Sequence, residues 1–310
     1  MKQHLGSLAI LEAGSLWGII SLFVRELSAL GLDSLQIGFL RSLLAALMLL
    51  VWLLLRDREA LRVRLRDLWC FVGTGIVSLT FFSWCYFTTI QASEASVAVV
   101  LLYTSPIFVM LLSAVCFGER ITPPKLAALA MTFCGSVLVA GLLGGGYTLT
   151  PGVFLIGLGA GLGYGLYSIF GRCALERGYG SLTVTFYTFV FSSLGGAFLS
   201  RPAALVGHLT PKTLLWGAAI ALVCSVLPYL LYTYGLSQME SGKAAILATI
   251  EPLVGALVGM VLYHESHGPG KLLGMALIFA AVVLLNLPQG HTGRKPKTQV
   301  KMGASTNAGR

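Results

Sequence analysis

Long apolar runs recur along this chain with only brief polar interruptions. Crossing the hydrocarbon core of a bilayer takes about 20 apolar helical residues. Runs of about that length lie at 5–24, 34–55, 68–89, 94–116, 125–143, 152–173, 182–199, 213–236, 242–263 and 270–288. The pattern predicts ten transmembrane helices joined by short links, with no room for a soluble domain. Residues 289–310 break it. They are polar, basic and rich in Gly, Ser, Thr and Asn, which predicts a disordered tail. The first run follows Lys2 and His4 and so imitates a signal peptide. Glu12 interrupts it, and Arg25-Glu26 ends it without a small-residue cleavage site, so it is read as the first span.

Composition supports a lipid-facing surface. Hydrophobic residues make up 56% of the 310 positions and charged residues 11%, against roughly 25% charged in soluble domains. The net charge of +9 does not mark a nucleic-acid binder, because Lys and Arg sit in short loops and the tail. Ten spans put both termini on one face. That face collects sixteen Lys and Arg, the other face four, and Arg41 falls inside a span. Positive charge stays in the cytoplasm, so both termini are expected there.

A shift of 146 residues aligns 94–140 with 240–286 at 14 identities in 47 positions without a gap. Glu94, Pro106, Glu119, Pro123 and Lys125 all fall on their own kind. A shift of 147 brings Trp17-Gly18 onto Tyr164-Gly165 and Arg25 onto Arg172. Each half, 5–143 and 152–288, therefore holds five spans. An odd number inverts the second half relative to the first, an arrangement suited to opening a central site to alternate sides.

Several residues stand out within the spans. Pro106 and Pro252 lie at equivalent mid-span positions and predict kinks, read as a hinge or cavity wall or as a packing feature. Glu251 precedes Pro252 and shares a helical face with Gly255 and Gly259, so it points into the bundle. A carboxylate at that depth is suited to bind a substrate ammonium, to carry a proton or to bond a neighbouring helix. Glu12 is the second proton-coupling candidate. Arg41 shares a face with Gly38, Ser42 and Ala45; it anchors a substrate carboxylate or snorkels to the surface. Trp17, Tyr86, Tyr103, Tyr164 and Tyr232 are candidate substrate contacts, among aromatics that include Phe82, Tyr167 and Tyr229. Glu119 and Glu265 end equivalent spans and are expected to fix the turns that follow. Gly157, Gly161 and Gly165 form a tandem GxxxG face for close packing.

No catalytic site, metal site or cofactor is indicated. The six Cys form no CxxC. His264 and His267 lack the further ligands a metal needs, and no HExxH or GxSxG occurs.

The mid-span Pro106, the Gly118-Glu119 turn, Lys125 and the Glu251-Pro252…Glu265 pattern, with Trp17-Gly18 and Phe39-Leu40-Arg41, resemble EamA-type transporters of the drug/metabolite transporter superfamily. The resemblance covers roughly 5–288, as two EamA repeats. It implies an all-α integral membrane protein with ten helices around a central cavity, in the bacterial cytoplasmic (inner) membrane. It implies a secondary transporter, with exporters of amino acids and other metabolites among its relatives, a small-molecule substrate and the lipid bilayer as partners. In the second repeat His264 replaces Gly118, which sets the two turns apart. A lipid-acting membrane enzyme and a passive channel or scaffold are the alternatives. The sequence is silent on substrate identity, transport direction and oligomeric state.

Overall fold

The computed structural model describes residues 2–93, 95–142, 150–200, 202–264 and 268–287. Glu94, Arg201, Glu265, His267 and the tail expected over 289–310 lie outside them. All regular structure among the described residues is helical. The principal helices are α1 (Lys2–Gly18), α2 (Ile20–Ala29), α3 (Ser34–Arg56), α4 (Leu65–Ala92), α5 (Ala95–Leu102), α6 (Ser105–Phe117) and α7 (Pro123–Val139). They continue with α8 (Pro151–Glu176), α9 (Ser181–Leu199), α10 (Pro211–Gln238), α11 (Ser241–Ala248), α12 (Glu251–Leu262) and α13 (Pro269–Asn286).

Nine helical stretches among the described residues are long and apolar enough to cross a membrane, counting α1–α2, α5–α6 and α11–α12 as one each. The tenth expected span is α7, which is apolar but only 17 residues long. It stops at Val139 rather than 143, ahead of Gly141 in the left-handed region at φ +71°. The first stretch runs on to Ala29 rather than 24 and is interrupted at Ile19.

Helices related by the sequence shift pack in related ways. The long helix α3 lies against its counterpart α9, and α7 lies against α13. The first helix, α1, packs on α10, α11 and α12 of the later half, while its counterpart α8 packs on α4, α5 and α6 of the earlier half. Each half thus lends its first helix to the other.

The two proline-bearing spans are broken, as Pro106 and Pro252 predict. The helix turns at Tyr103-Thr104 and resumes with Pro106 near the start of α6; it turns again at Thr249-Ile250, with Pro252 near the start of α12. Proline lacks the N–H that would continue the ladder, so it sits where the first turn leaves that group unused. The threonine beside each break bonds back to the preceding turn: Thr104 Oγ1 donates to Leu101 O at 2.6 Å and Thr249 Oγ1 to Ile246 O at 2.5 Å.

Glycines bring the crossing helices onto these breaks. A Cβ on Gly14 would stand 2.8 Å from the Ala248 carbonyl oxygen, and one on Gly18 would stand 2.8 Å from that of Glu251. On α8, a Cβ on Gly161 would meet the Leu101 carbonyl oxygen at 2.7 Å, and one on Gly165 that of Ser105 at 3.1 Å. The GxxxG face of α8 therefore packs as its sequence predicts, and α1 repeats the device.

Two spans also contain widened, π-helical turns, at Gly73–Thr80 in α4 and Leu222–Val226 in α10. Such insertions re-aim side chains within a continuous helix. In α4, Ser78 Oγ donates to Gly163 O at 2.7 Å; in α10, Cys224 Sγ donates to Leu16 O at 3.4 Å. Residue 78 plus 146 is 224, and residue 16 plus 147 is 163. The repeat is thus visible down to single hydrogen bonds, with a thiol in place of a hydroxyl.

Glu119 departs from its expected role. Its carboxylate does not hold its own turn but reaches the start of α11, accepting from Ser241 N–H at 2.6 Å and Gly242 N–H at 3.0 Å. That helix begins with free N–H groups, and an anion there satisfies both donors and dipole. Beside it, the 6% exposed Lys125 pairs with Glu240 and donates to Arg120 O at 2.8 Å. The turn after α6 is set by Gly118 at φ +66°, closed by Glu119 N–H to Ser113 O at 3.3 Å. His264 at the counterpart position takes the same left-handed backbone, φ +52°. The exchange of Gly118 for His264 therefore changes the side chain and keeps the left-handed backbone at that position.

Two outcomes follow. Replacing His264 with Gly relieves the strain of a side chain in the left-handed region and should raise stability by about 0.5–1 kcal/mol, read as a higher Tm in detergent. Gly161→Leu should lower Tm sharply or prevent folding. Gly152→Leu, where nothing lies within 4 Å of the added Cβ, should leave Tm nearly unchanged.

Candidate substrate cavity

A cavity of about 330 Å³ lies at the centre of the bundle, within the size range of small-molecule sites. Each of several helices contributes to it. Trp17 comes from the end of α1, Arg41 from α3, Phe82 and Tyr86 from α4, Tyr164 from α8 and Glu251 from the first turn of α12. Val24, Ser34 and Ile90 carry it towards the face that holds the Gly31–Asp33 turn.

Its walls are mostly aromatic and aliphatic, with two opposite charges set into them. Glu251 accepts a hydrogen bond from the Tyr164 hydroxyl at 3.1 Å. The three ion pairs among the described residues involve neither Glu251 nor Arg41. Arg41 lines the cavity and makes no hydrogen bond to the protein among those residues. A charge within a membrane span is costly unless it faces water, a partner or a ligand. Behind Arg41 is a chamber of about 20 Å³ lined in part by Ser42, Thr80, Ser83 and Ser192, large enough for a single water. Ser42 and Ser192 hydroxyls bond there at 3.2 Å.

A second cavity of about 300 Å³ shares Trp17, Ile20, Ser21 and Glu251 with the first and extends along Pro252, Gly255 and Gly259. Helix α2 supplies residues to both cavities, Val24 to the first and Arg25 to the second. The Arg25 guanidinium stacks over the Tyr263 ring at 3.8 Å.

Towards the opposite face, which carries the Gly178–Gly180 turn, the interior is shut. Only about 20 Å³ remains beneath Trp17, beside Ser105, Ser168 and Tyr232. Tyr167 and Thr233 hydroxyls bond at 2.6 Å, and Ser168 and Tyr232 hydroxyls at 2.7 Å. The Trp17 ring stands 5.2 Å from Tyr229, 5.5 Å from Tyr232 and 6.2 Å from Tyr164 between centroids. These aromatics close the floor of the main cavity.

Of the candidates read from sequence, Trp17, Arg41, Tyr86, Tyr164 and Glu251 converge on the main cavity. Tyr103 reaches the second cavity instead, and Tyr232 lies in the closed chamber. Glu12 is exposed on α1 and borders none of these spaces. Ser21 and Arg25 join the site without having been singled out as contacts; the alignment of Arg25 with Arg172 was the available signal. No group of His, Cys, Asp and Glu suited to a metal ion occurs among the described residues.

Comparison with known proteins accords with this architecture. The EamA-like transporter family matches twice, over residues 4–141 and 150–287. An uncharacterized transporter of Archaeoglobus fulgidus is 31% identical over 279 residues, covering 90% of this chain and 95% of the relative. The threonine/homoserine exporter RhtA of Escherichia coli K12 is 27% identical over 213 residues, 66% of this chain and 67% of its own. A probable terminal-alkyne amino-acid exporter of Streptantibioticus cattleyicolor is 28% identical over 196 residues, 62% of this chain and 64% of its own. One crystal structure superposes with a TM-score of 0.75 at 19% identity, over 91% of this chain and 96% of the other, a likeness of fold. With both halves of the chain matched, this integral multi-pass membrane protein belongs to the EamA-like transporter family.

Proposed function

We propose that the protein is a secondary exporter of zwitterionic amino acids or closely related metabolites, working by alternating access. The observation that carries this reading is the pairing of charges in one cavity: Arg41 and Glu251 face the same space and form no ion pair with each other. Arg41 suits a carboxylate, which a guanidinium fork binds with two parallel hydrogen bonds. Glu251, oriented by Tyr164, suits an ammonium. The aromatic walls of Trp17, Phe82 and Tyr86 suit an apolar or ring-bearing side chain. The amino-acid exporters among the relatives support both the substrate class and the direction.

The architecture in this reading is ten spans in two inverted five-helix repeats, 5–143 and 152–288, in a bacterial inner membrane with both termini in the cytoplasm. The sixteen-to-four distribution of Lys and Arg and the exchange of first helices between halves support it. The Gly31 face is then external, and the cavity is open outward. The breaks at Pro106 and Pro252 are the hinges about which the halves rock. Glu251, bordered by two cavities, is the group placed to couple transport to protons; Glu12 borders neither and is the weaker candidate.

The test is counterflow in proteoliposomes loaded with individual amino acids. Saturable accumulation of a labelled amino acid is expected. Arg41→Gln and Glu251→Gln should each weaken apparent affinity about 10–100-fold, the range for losing a hydrogen bond to a charged group. For the corresponding decarboxylated amine, Arg41→Gln should have little effect and Glu251→Gln its full effect. Equal sensitivity of the amine and the amino acid to Arg41→Gln would remove the assigned role of Arg41. A further expectation is that an inward-directed proton gradient drives export in the wild type and not in Glu251→Gln.

A further inference from the structure

The small closed chamber beneath Trp17 has its counterpart, in the other half, in the space shared by the main cavity and the second cavity. The closed chamber is bordered by Tyr164, Ser168, Ser105 and Val109; the open cavity by Trp17, Ser21, Glu251 and Gly255. The first two residues of each set are related by the 147 shift and the last two by the 146 shift. The open copy comprises cavities of about 330 and 300 Å³, and the closed copy holds about 20 Å³. The contacts that shut the closed copy can therefore be carried onto the open one, residue by residue.

Two sets of polar contacts shut it. The Ser168 hydroxyl bonds the Tyr232 hydroxyl at 2.7 Å. Arg172 Nη1 donates to the carbonyls of Leu236 and Met239, both at 2.9 Å, while its Nε donates to Glu176 at 3.0 Å. These carbonyls end α10, where the last turn leaves acceptors unused. The counterparts are Ser21 for Ser168, Tyr86 for Tyr232, Arg25 for Arg172, Ile90 for Leu236 and Ser93 for Met239. In this structure Ser21, Tyr86 and Ile90 line the open main cavity, and Arg25 is turned away onto the Tyr263 ring.

We infer that the chain carries two copies of one latch: an inner latch, Arg172 with Ser168 and Tyr232, closed here, and an outer latch, Arg25 with Ser21 and Tyr86, open here. Outer closure swings α2 about its break at Ile19 until Ser21 meets Tyr86 and Arg25 meets the carbonyls of Ile90 and Ser93. Inner opening releases Arg172 and expands the chamber beneath Trp17 into a release site on the cytoplasmic side. Each latch joins the first and third spans of its own half, and the same spans also pack on the other half, so closing one latch works against the other. Stacking on Tyr263 is the resting place of Arg25 in the open state, and the carbonyl pair is its stronger partner. This inference rests on the alternating-access reading above and assigns its gates.

The test uses the full-length protein in lipid nanodiscs without substrate, so it stands whether or not the amino-acid panel finds a ligand. Ala245→Cys, in the closed chamber, reports inner opening through its rate of reaction with a charged thiol reagent. The rate is corrected for the same variant set lacking the reporter. Tyr232→Phe removes one bond of the inner latch and should speed the reaction about fivefold. Tyr86→Phe removes a bond present only when the outer side is closed, and should slow it about fivefold. Arg25→Ala should also slow it. A rate that is unchanged or raised in Tyr86→Phe overturns the inference, whatever Tyr232→Phe does. A faster reaction in Arg25→Ala would mean that stacking on Tyr263 is that residue's main role, and would also overturn it. Matching gel-filtration profiles establish that the variants are folded; Tyr86→Phe alone decides the matter if Arg25→Ala is not.

Discussion

Backbone polar groups inside a membrane must find partners within the protein, and this requirement governs the whole arrangement. Two spans are broken in mid-membrane, at Tyr103-Thr104 and Thr249-Ile250. Their loosened carbonyls are tolerable only where protein covers them. Helices α1 and α8 do so, each with a pair of glycines close enough that a methyl group would collide with a carbonyl oxygen. Because the covering helix comes from the other half, neither half is complete without its partner. The breaks in turn bring Glu251 and Ser105 to the first turns of new helices, facing the interior from equivalent positions. Cavity, helix break and half-to-half contact all descend from one unmet hydrogen-bonding requirement.

The duplication is close in backbone and unequal in chemistry. Ser78 and Cys224 make the same bond to α8 and α1, and Gly118 and His264 share a left-handed turn. The halves also differ at the cavity: the counterpart of Glu251 is Ser105, and that of Trp17 is Tyr164. Repeated packing makes the two halves alike in backbone, while the unequal side chains make the space they enclose chemically asymmetric.

Much of this was legible in the sequence because membrane constraints write themselves in simple patterns. The spans follow from apolar length, the repeat from Glu, Pro and Lys recurring at one spacing, and the breaks from Pro106 and Pro252. The shortness of α7 was missed because hydropathy continues past Val139, while the helix stops ahead of Gly141. The convergence of Arg41 and Glu251 could not be read, since it depends on how α3 and α12 sit across the bundle. Glu119 shows the same limit from another side. Its partners, Ser241 and Gly242, are more than 120 residues away, and no local pattern announces a carboxylate that caps another helix. The π-helical turns of α4 and α10 have no marker in composition; each coincides with a bond that Ser78 or Cys224 makes outside its own helix.

Trp17 borders three separate spaces: the main cavity, the second cavity and the closed chamber. Its indole is therefore a septum as well as a candidate contact. Large, rigid and only 7% exposed, it stands between the main cavity and the spaces beside and below it. A smaller side chain would join those spaces to one another, with the Tyr167–Thr233 and Ser168–Tyr232 bonds still closing the far side. The seal of the transporter would then rest on those hydroxyl pairs with one partition fewer. The size of this one ring thus bears on impermeability as much as on recognition.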